Sequence, residues 1–206
     1  MAYNRRDRQP GGQRLRPRPG RPAEGTLRVE LRYYPDPVLR EAGAPVEEFD
    51  ERLAALAREM IEAMHACQGL GLAGPQVGVP KRLAIISPEV EAGHETVLIN
   101  PEFTRTEGWE ETEEGCLSFP GIYVKVGRFT RVGLRFRNLQ GRWEEMSAEG
   151  LLARAVQHEI DHLDGRLLVD RMSPVQRLTQ RRNLKELERR YERRLGRVEA
   201  DAADVG

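Results

Sequence analysis

Residues 157–162 read Gln157-His158-Glu159-Ile160-Asp161-His162, and no other stretch constrains the chain as tightly. On a helix, positions four apart differ by about 40° around the axis, so both imidazoles leave from one face and can hold a single metal ion. Glu159 projects from the flank of that face, within reach of a water on the ion rather than the ion itself. The chain has only four histidines, which makes this HExxH spacing a specific signal. The helix is predicted from about Leu151 to Leu163, with Leu151, Leu152, Ala155 and Val156 on neighbouring faces and Gly165 as its stop.

Two ligands leave a catalytic site incomplete, because a third is needed and a fourth position must stay open to water. A metzincin-type continuation would require histidine at 168, where Leu168 stands. A thermolysin-type glutamate further along would be Glu186. It falls in an arginine-rich helix, where pairing with Arg182 or Arg190 is the simpler role. Cys116 is the better candidate. It stands in Glu113-Glu114-Gly115-Cys116-Leu117-Ser118-Phe119-Pro120-Gly121, where glycine and proline let the backbone bend, and a thiolate is a strong ligand for divalent metals. A lone cysteine is also commonly a small buried hydrophobe, so the residues alone leave both roles open.

Working outward, Asp50 caps a predicted helix whose apolar positions Phe49, Leu53, Leu56, Met60 and Met64 recur every three or four residues. Residues 69–80 hold Gly69, Gly71, Gly74 and Gly78 with Pro75 and Pro80, too many breakers for regular structure, and predict an ordered loop lining a cleft. Short β-type runs follow at Leu83–Ile86, Val97–Ile99, Ile122–Val126, Val132–Phe136 and Arg142–Met146, the last entered by a turn at Asn138–Gly141. No helix-length segment separates most of them, so they are antiparallel. A last helix starts at the capping box Ser173-Pro174-Val175-Gln176 and runs through Leu178, Leu184, Leu187, Tyr191 and Leu195 to Gly196. The fold class is therefore α+β: antiparallel sheets packed around a central helix carrying HExxH, with a C-terminal helix.

The 206 residues carry 33 basic and 33 acidic side chains, with 39% apolar residues. That composition supports a folded core, and no run of about 18 apolar residues offers a spanning helix. The neutral total hides an acidic body between basic ends: residues 1–25 carry +5, Arg171–Gly206 +4 and the middle −9. Cys67 and Cys116 are too few for a disulfide framework and suit a reducing compartment, the cytoplasm. The first residues lack the apolar core of a secretory signal. Residues 1–25 are expected to be a disordered basic extension, 26–196 the catalytic domain and 197–206 a disordered tail.

Three segments, Gly69-Leu70-Gly71-Leu72-Ala73-Gly74-Pro75-Gln76, Glu114-Gly115-Cys116-Leu117-Ser118 and Gln157-His158-Glu159-Ile160-Asp161-His162, resemble in order and spacing the signature motifs of the peptide deformylases. Gly74 departs from the alanine usual there, while Gln76 is intact. The resemblance implies an ion held by Cys116, His158 and His162, commonly ferrous iron (Fe2+), with zinc, nickel or cobalt as alternatives. It implies hydrolysis of the formyl group from N-formylmethionyl nascent peptides, with Glu159 taking the proton of the attacking water and passing it to the leaving amine. Gln76 and the backbone N–H of Leu117 would donate to the developing oxyanion. Gly71 would admit the substrate backbone, and Leu70, Leu151 and Ala155 are candidates for the methionine pocket. Arg154 would cover that pocket with its stem or face solvent, and Glu114 with Arg128 resembles a structural pair of the family. His65, His94 and Cys67 fall outside the motifs.

The arginine-rich last helix suggests docking on ribosomal RNA near the exit tunnel, as in some deformylases, with no membrane or DNA partner. Two other classes remain: a zinc protease, and a structural metal site closed by a fourth ligand such as Cys67. The latter would have no use for Glu159.

Overall fold

The computed structural model describes residues 29–88 and 93–203, with side chains described as far as residue 196. The expected N-terminal extension, residues 1–25, lies outside the described residues. The elements in order are helix α1 (Glu51–Ala66), strands β1 (Gly71–Ala73), β2 (Leu83–Ile86), β3 (Thr96–Glu107), β4 (Glu110–Gly115), β5 (Tyr123–Arg128), β6 (Arg131–Arg137) and β7 (Trp143–Glu149), then helices α2 (Gly150–Leu163) and α3 (Pro174–Ala203). Single 3-10 turns sit at Pro37–Arg40, Gly74–Val77 and Leu168–Arg171.

One antiparallel sheet has the order β1-β2-β3-β6-β7, and β4 pairs with β5 in a second. Alternation along the strands explains how the larger sheet is covered. Leu72, Leu83, Ile85 and Ile99 point into a cluster with Leu53, Ala57, Met60 and Met64 of α1. Their neighbours Ala73, Ala84, Ile86 and Leu98 pack on Ala153, Val156, Ile160 and Leu163 of α2. Strand β2 is buried along its whole length because both its faces meet a helix. A third cluster joins Cys116, Phe119, Ile122, Val124 and Val126 to Leu184 and Leu187 of α3.

Asp50 caps α1 by accepting from Leu53 N–H at 2.9 Å, and Gly165 takes φ +70° just past α2, as the spacing predicts. The expected ordered loop at 69–80 contains a strand, β1, and a 3-10 turn. Strands β3 and β4 differ more from expectation. β3 continues to Glu107 through register shifts after Ile99 and Phe103. Asn100 takes φ +51° there, and its side chain bonds both Val46 N–H and Val46 O. The shift absorbs Pro101, which lacks the N–H a regular ladder needs. α3 does not stop at Gly196 with a tail from 197: the helical backbone continues through Ala203. One glycine costs an exposed helix about 1 kcal/mol, too little to end it among good helix formers; residues 204–206 lie outside the described residues.

Candidate metal centre

α2 buries every side chain from Ala153 to Leu163, so its polar residues must find partners inside the protein. His158 and His162 stand one turn apart with ring centroids 4.9 Å from each other. Cys116 arrives from the tight turn between β4 and β5, where Phe119 N–H donates to Cys116 O at 3.0 Å. Its Sγ lies 3.2 Å from His162 Nε2. One ligand atom from each of Cys116, His158 and His162 falls within 4.8 Å of the others, and all three residues are buried. The fit to a divalent ion rests on a second feature: His158 Nδ1 is engaged by Glu114 at 2.6 Å, while His158 Nε2 is buried with no hydrogen-bond partner among the described residues. A polar atom left so inside a protein is costly, and an ion between the three residues would supply its partner. One sulfur and two imidazoles suit iron, zinc, nickel or cobalt.

The charges around the centre come from four elements. Glu114 of β4 accepts from Arg128 Nη2 at 2.8 Å and from Arg154 Nη1 at 3.1 Å, and Arg128 also reaches Asp161 at 2.6 Å. Asp161 in turn binds Arg171 beyond α2. Burial alone would raise the Glu114 carboxyl, but His158 and Arg128 hold it well below the usual carboxylate range. Burial would likewise lower His158, but interaction with Cys116 and Glu114 beside it pushes it up to about 9. His162 is driven well below its ordinary value by burial and by the charge of His158. The opposite directions disfavour positive charge on both rings at once.

Gln76 is fully buried and held at both ends of its amide. Oε1 accepts from Ala73 N–H at 2.9 Å, and Nε2 donates to Ser118 Oγ at 3.2 Å and faces Cys116 Sγ at 3.6 Å. Leu117 lies between Cys116 and Ser118 and is buried. Glu159 is fully buried too, against Gly71: a Cβ built there would fall 2.4 Å from Glu159 Oε1. The space at Gly71 is thus filled by the glutamate. Leu70 and Ala155 pack together as a small buried cluster beside these groups, whereas Leu151 is 47% exposed and stands one turn further out on the same face of α2. Arg154 neither faces solvent nor ends on the pocket; its guanidinium is spent on Glu114, Val126 O and Glu110 O.

The alternatives do not assemble. Cys67 is exposed at the end of α1 and outside the metal-competent group. Glu186 accepts from Arg190 and Arg193 on α3. His65 pairs with Glu95. Reading the sequence missed Ser118 as the anchor of Gln76 and Asp161 as the second acceptor for Arg128. It also missed Gln157, which clamps the backbone of Phe129 by donating to its C=O at 2.9 Å and accepting from its N–H at 3.0 Å. All three stand inside or beside the signature motifs, which was the available signal.

Residues 29–178 match the family model of polypeptide deformylase. The chain is 48% identical over 158 residues to the peptide deformylase of Acidobacterium capsulatum, covering 76% of this chain and 93% of that one. Among solved structures, a peptide deformylase from Legionella pneumophila superposes with TM-score 0.76 at 41% identity, over 81% of this chain and 99% of that one. The Arabidopsis thaliana peptide deformylase 1B gives 0.78 at 39%, over 82% and 94%. A buried sulfur and two imidazoles around one point, a glutamate beside them, and likeness along most of the chain agree: this protein belongs to the peptide deformylase family, metal-dependent hydrolases that remove the N-formyl group from nascent polypeptides.

Proposed function

We propose that Cys116, His158 and His162 hold one divalent ion, ferrous iron in the cell with zinc, nickel or cobalt able to replace it. Glu159 then moves the proton in release of formate from N-formylmethionyl chains in the cytoplasm. The observation that carries this is the buried Nε2 of His158, without a hydrogen-bond partner among the described residues and grouped with a thiol and a second imidazole beside a buried glutamate. When bound, the ion would supply Lewis acidity to the water and to the formyl oxygen. Glu159 takes one proton of the attacking water as the water's oxygen bonds to the formyl carbon and the C=O electron pair moves onto the formyl oxygen. The oxygen that gains charge receives hydrogen bonds from Gln76 Nε2 and Leu117 N–H, the amide being kept in place by Ala73 and Ser118. Glu159 returns the proton to the departing nitrogen as the C–N bond breaks, leaving formate and a free methionine amine.

Strand order supports a placement for the peptide. β1 ends the larger sheet and β4 ends the smaller; Gly71 of β1 touches Glu159, and Gly115 of β4 precedes Cys116. An extended chain lying between these two ends brings its first residue to the centre. The methionine side chain enters between Leu70 and Ala155, with Leu151 at the rim.

The test is anaerobic purification with metal analysis, followed by formate release from formyl-Met-Ala-Ser by the wild type and Glu159→Gln. The variant keeps one ion per chain and loses about 100- to 10,000-fold in rate. Full metal content in Cys116→Ala, or preferential cleavage of an internal amide, overturns the reading. No helix among the described residues is long and apolar enough to cross a membrane. The arginines on the exposed face of α3 support docking on ribosomal RNA. Charge reversal at Arg181, Arg182 and Arg189, all exposed, is expected to abolish co-sedimentation with ribosomes at low salt; unchanged co-sedimentation removes the idea.

A further inference from the structure

Asp161 is a buried carboxylate of α2 to which the reaction gives no task. It stands three residues after His158 and one before His162, and its Oδ2 accepts from Arg128 Nη1 at 2.6 Å. The same guanidinium grips Glu114 with its other two nitrogens, Nε to Oε2 at 3.2 Å and Nη2 to Oε1 at 2.8 Å. Glu114 Oε1 in turn engages His158 Nδ1 at 2.6 Å. All three nitrogens of Arg128 are thus committed, and the guanidinium is fixed from two sides. Beyond Asp161 lies Arg171, whose Nε donates to Oδ2 at 2.9 Å and whose Nη2 donates to Oδ1. The row Arg171, Asp161, Arg128, Glu114, His158 runs from the 3-10 turn at Leu168–Arg171 through α2, β5 and β4 and back to α2. Glu114 and Arg128 are buried like Asp161, whereas the Arg171 side chain is 35% exposed and forms the open end of the row.

We infer that Asp161, anchored by Arg171, is a positioning residue for the ligand His158, acting through Arg128 and Glu114. An imidazole bound at Nδ1 by a carboxylate keeps its ring orientation and presents Nε2 to an ion. Glu114 serves in that way only while Arg128 holds the plane of its carboxylate, and Arg128 keeps its place because Asp161 takes its remaining nitrogen. Charge works in the same direction at Asp161. Arg128 and Arg154 both donate to Glu114, two cations against one anion, and Asp161 cancels a surplus that would oppose a divalent ion. At Arg171 the two effects part: its charge opposes the ion, while its forked grip steadies Asp161. The inference rests on the reading of Cys116, His158 and His162 as ligands, and extends it to residues that touch neither ion nor substrate.

The test is competition for zinc between the full-length, zinc-loaded protein and a chelator of known affinity, for wild type, Asp161→Asn, Arg171→Ala and Cys116→Ala. Visible spectra of the cobalt-loaded proteins accompany it. Asp161→Asn is expected to lose about 10- to 100-fold in zinc affinity, and Arg171→Ala about threefold or more in the same direction. Both shift the cobalt bands, because the His158 ring has turned. Arg171 is exposed, so its variant decides the matter if Asp161→Asn does not fold. Unchanged zinc affinity in either variant, tighter binding in Arg171→Ala, which charge alone would give, or weaker binding with unmoved cobalt bands overturns the inference. Wild-type affinity in Cys116→Ala strikes instead at the ligand set, and the inference falls with it.

Discussion

Gly71 has room for a hydrogen and nothing larger, because the Glu159 carboxylate occupies the place of its side chain. Gly71→Ala is therefore expected to displace the glutamate and cut the rate of formate release by tenfold or more while metal content stays at one ion per chain. Kinetics paired with metal analysis decide it. Glu114 gives a second prediction. Its folded-state pKa lies below its ordinary value of 4.5, so its ionised form stabilises the fold fully above that value and progressively less as the pH falls beneath it. Glu114→Gln is expected to cost roughly 3–5 kcal/mol near neutrality, as expected when one partner of a buried ion pair is removed. The difference from wild type should shrink in urea unfolding at pH 3–4. The ligands and Glu159 could be read from spacing because a helix turns a four-residue interval into a shared face. Glu114 with Arg128 could be read only through family likeness, since strand spacing gives no sign that β4, β5 and α2 meet there.

At the level of elements, α1, α2 and the start of α3 were legible because caps and apolar periodicity act within a few residues. β4, Glu-Glu-Thr-Glu-Glu-Gly, was not: its composition opposes a strand, and only pairing with β5 and the burial of Glu114 hold it. The far half of β3 was hidden likewise, its charged side chains facing solvent while β6 supplies the ladder. α3 is more than an exposed basic rod, because Leu184 and Leu187 sit in the same cluster as Cys116 and Phe119. Leu184→Ala is expected to cost about 2–5 kcal/mol, measured by urea denaturation. For the same reason, removing the helix outright would test the core as much as any ribosome contact, whereas charge reversal on its outer face isolates the latter.

For the whole molecule, the metal centre joins the β4–β5 turn to α2, so an ion that binds only the folded chain adds to its stability. At an ion concentration a hundred times its dissociation constant the gain is about 2.7 kcal/mol. Anaerobic chelation is therefore expected to lower Tm by several degrees, and adding back ferrous iron or zinc should restore it; an unchanged Tm would mean the ion contributes nothing to the fold. The segment before Pro37 has a further consequence. Arg32 and Tyr34 hold the loops bearing Gln76 and Ser118, and the same stretch is gripped by α3 through Tyr34 with Glu188 and Glu30 with Arg194. During synthesis, the segment before Pro37 thus waits for α3, which follows every other described element in the chain. A chain arrested before α3 has left the ribosome would carry every catalytic group yet lack the clasp that sets Gln76 and its anchor Ser118 in place, so competence waits for α3.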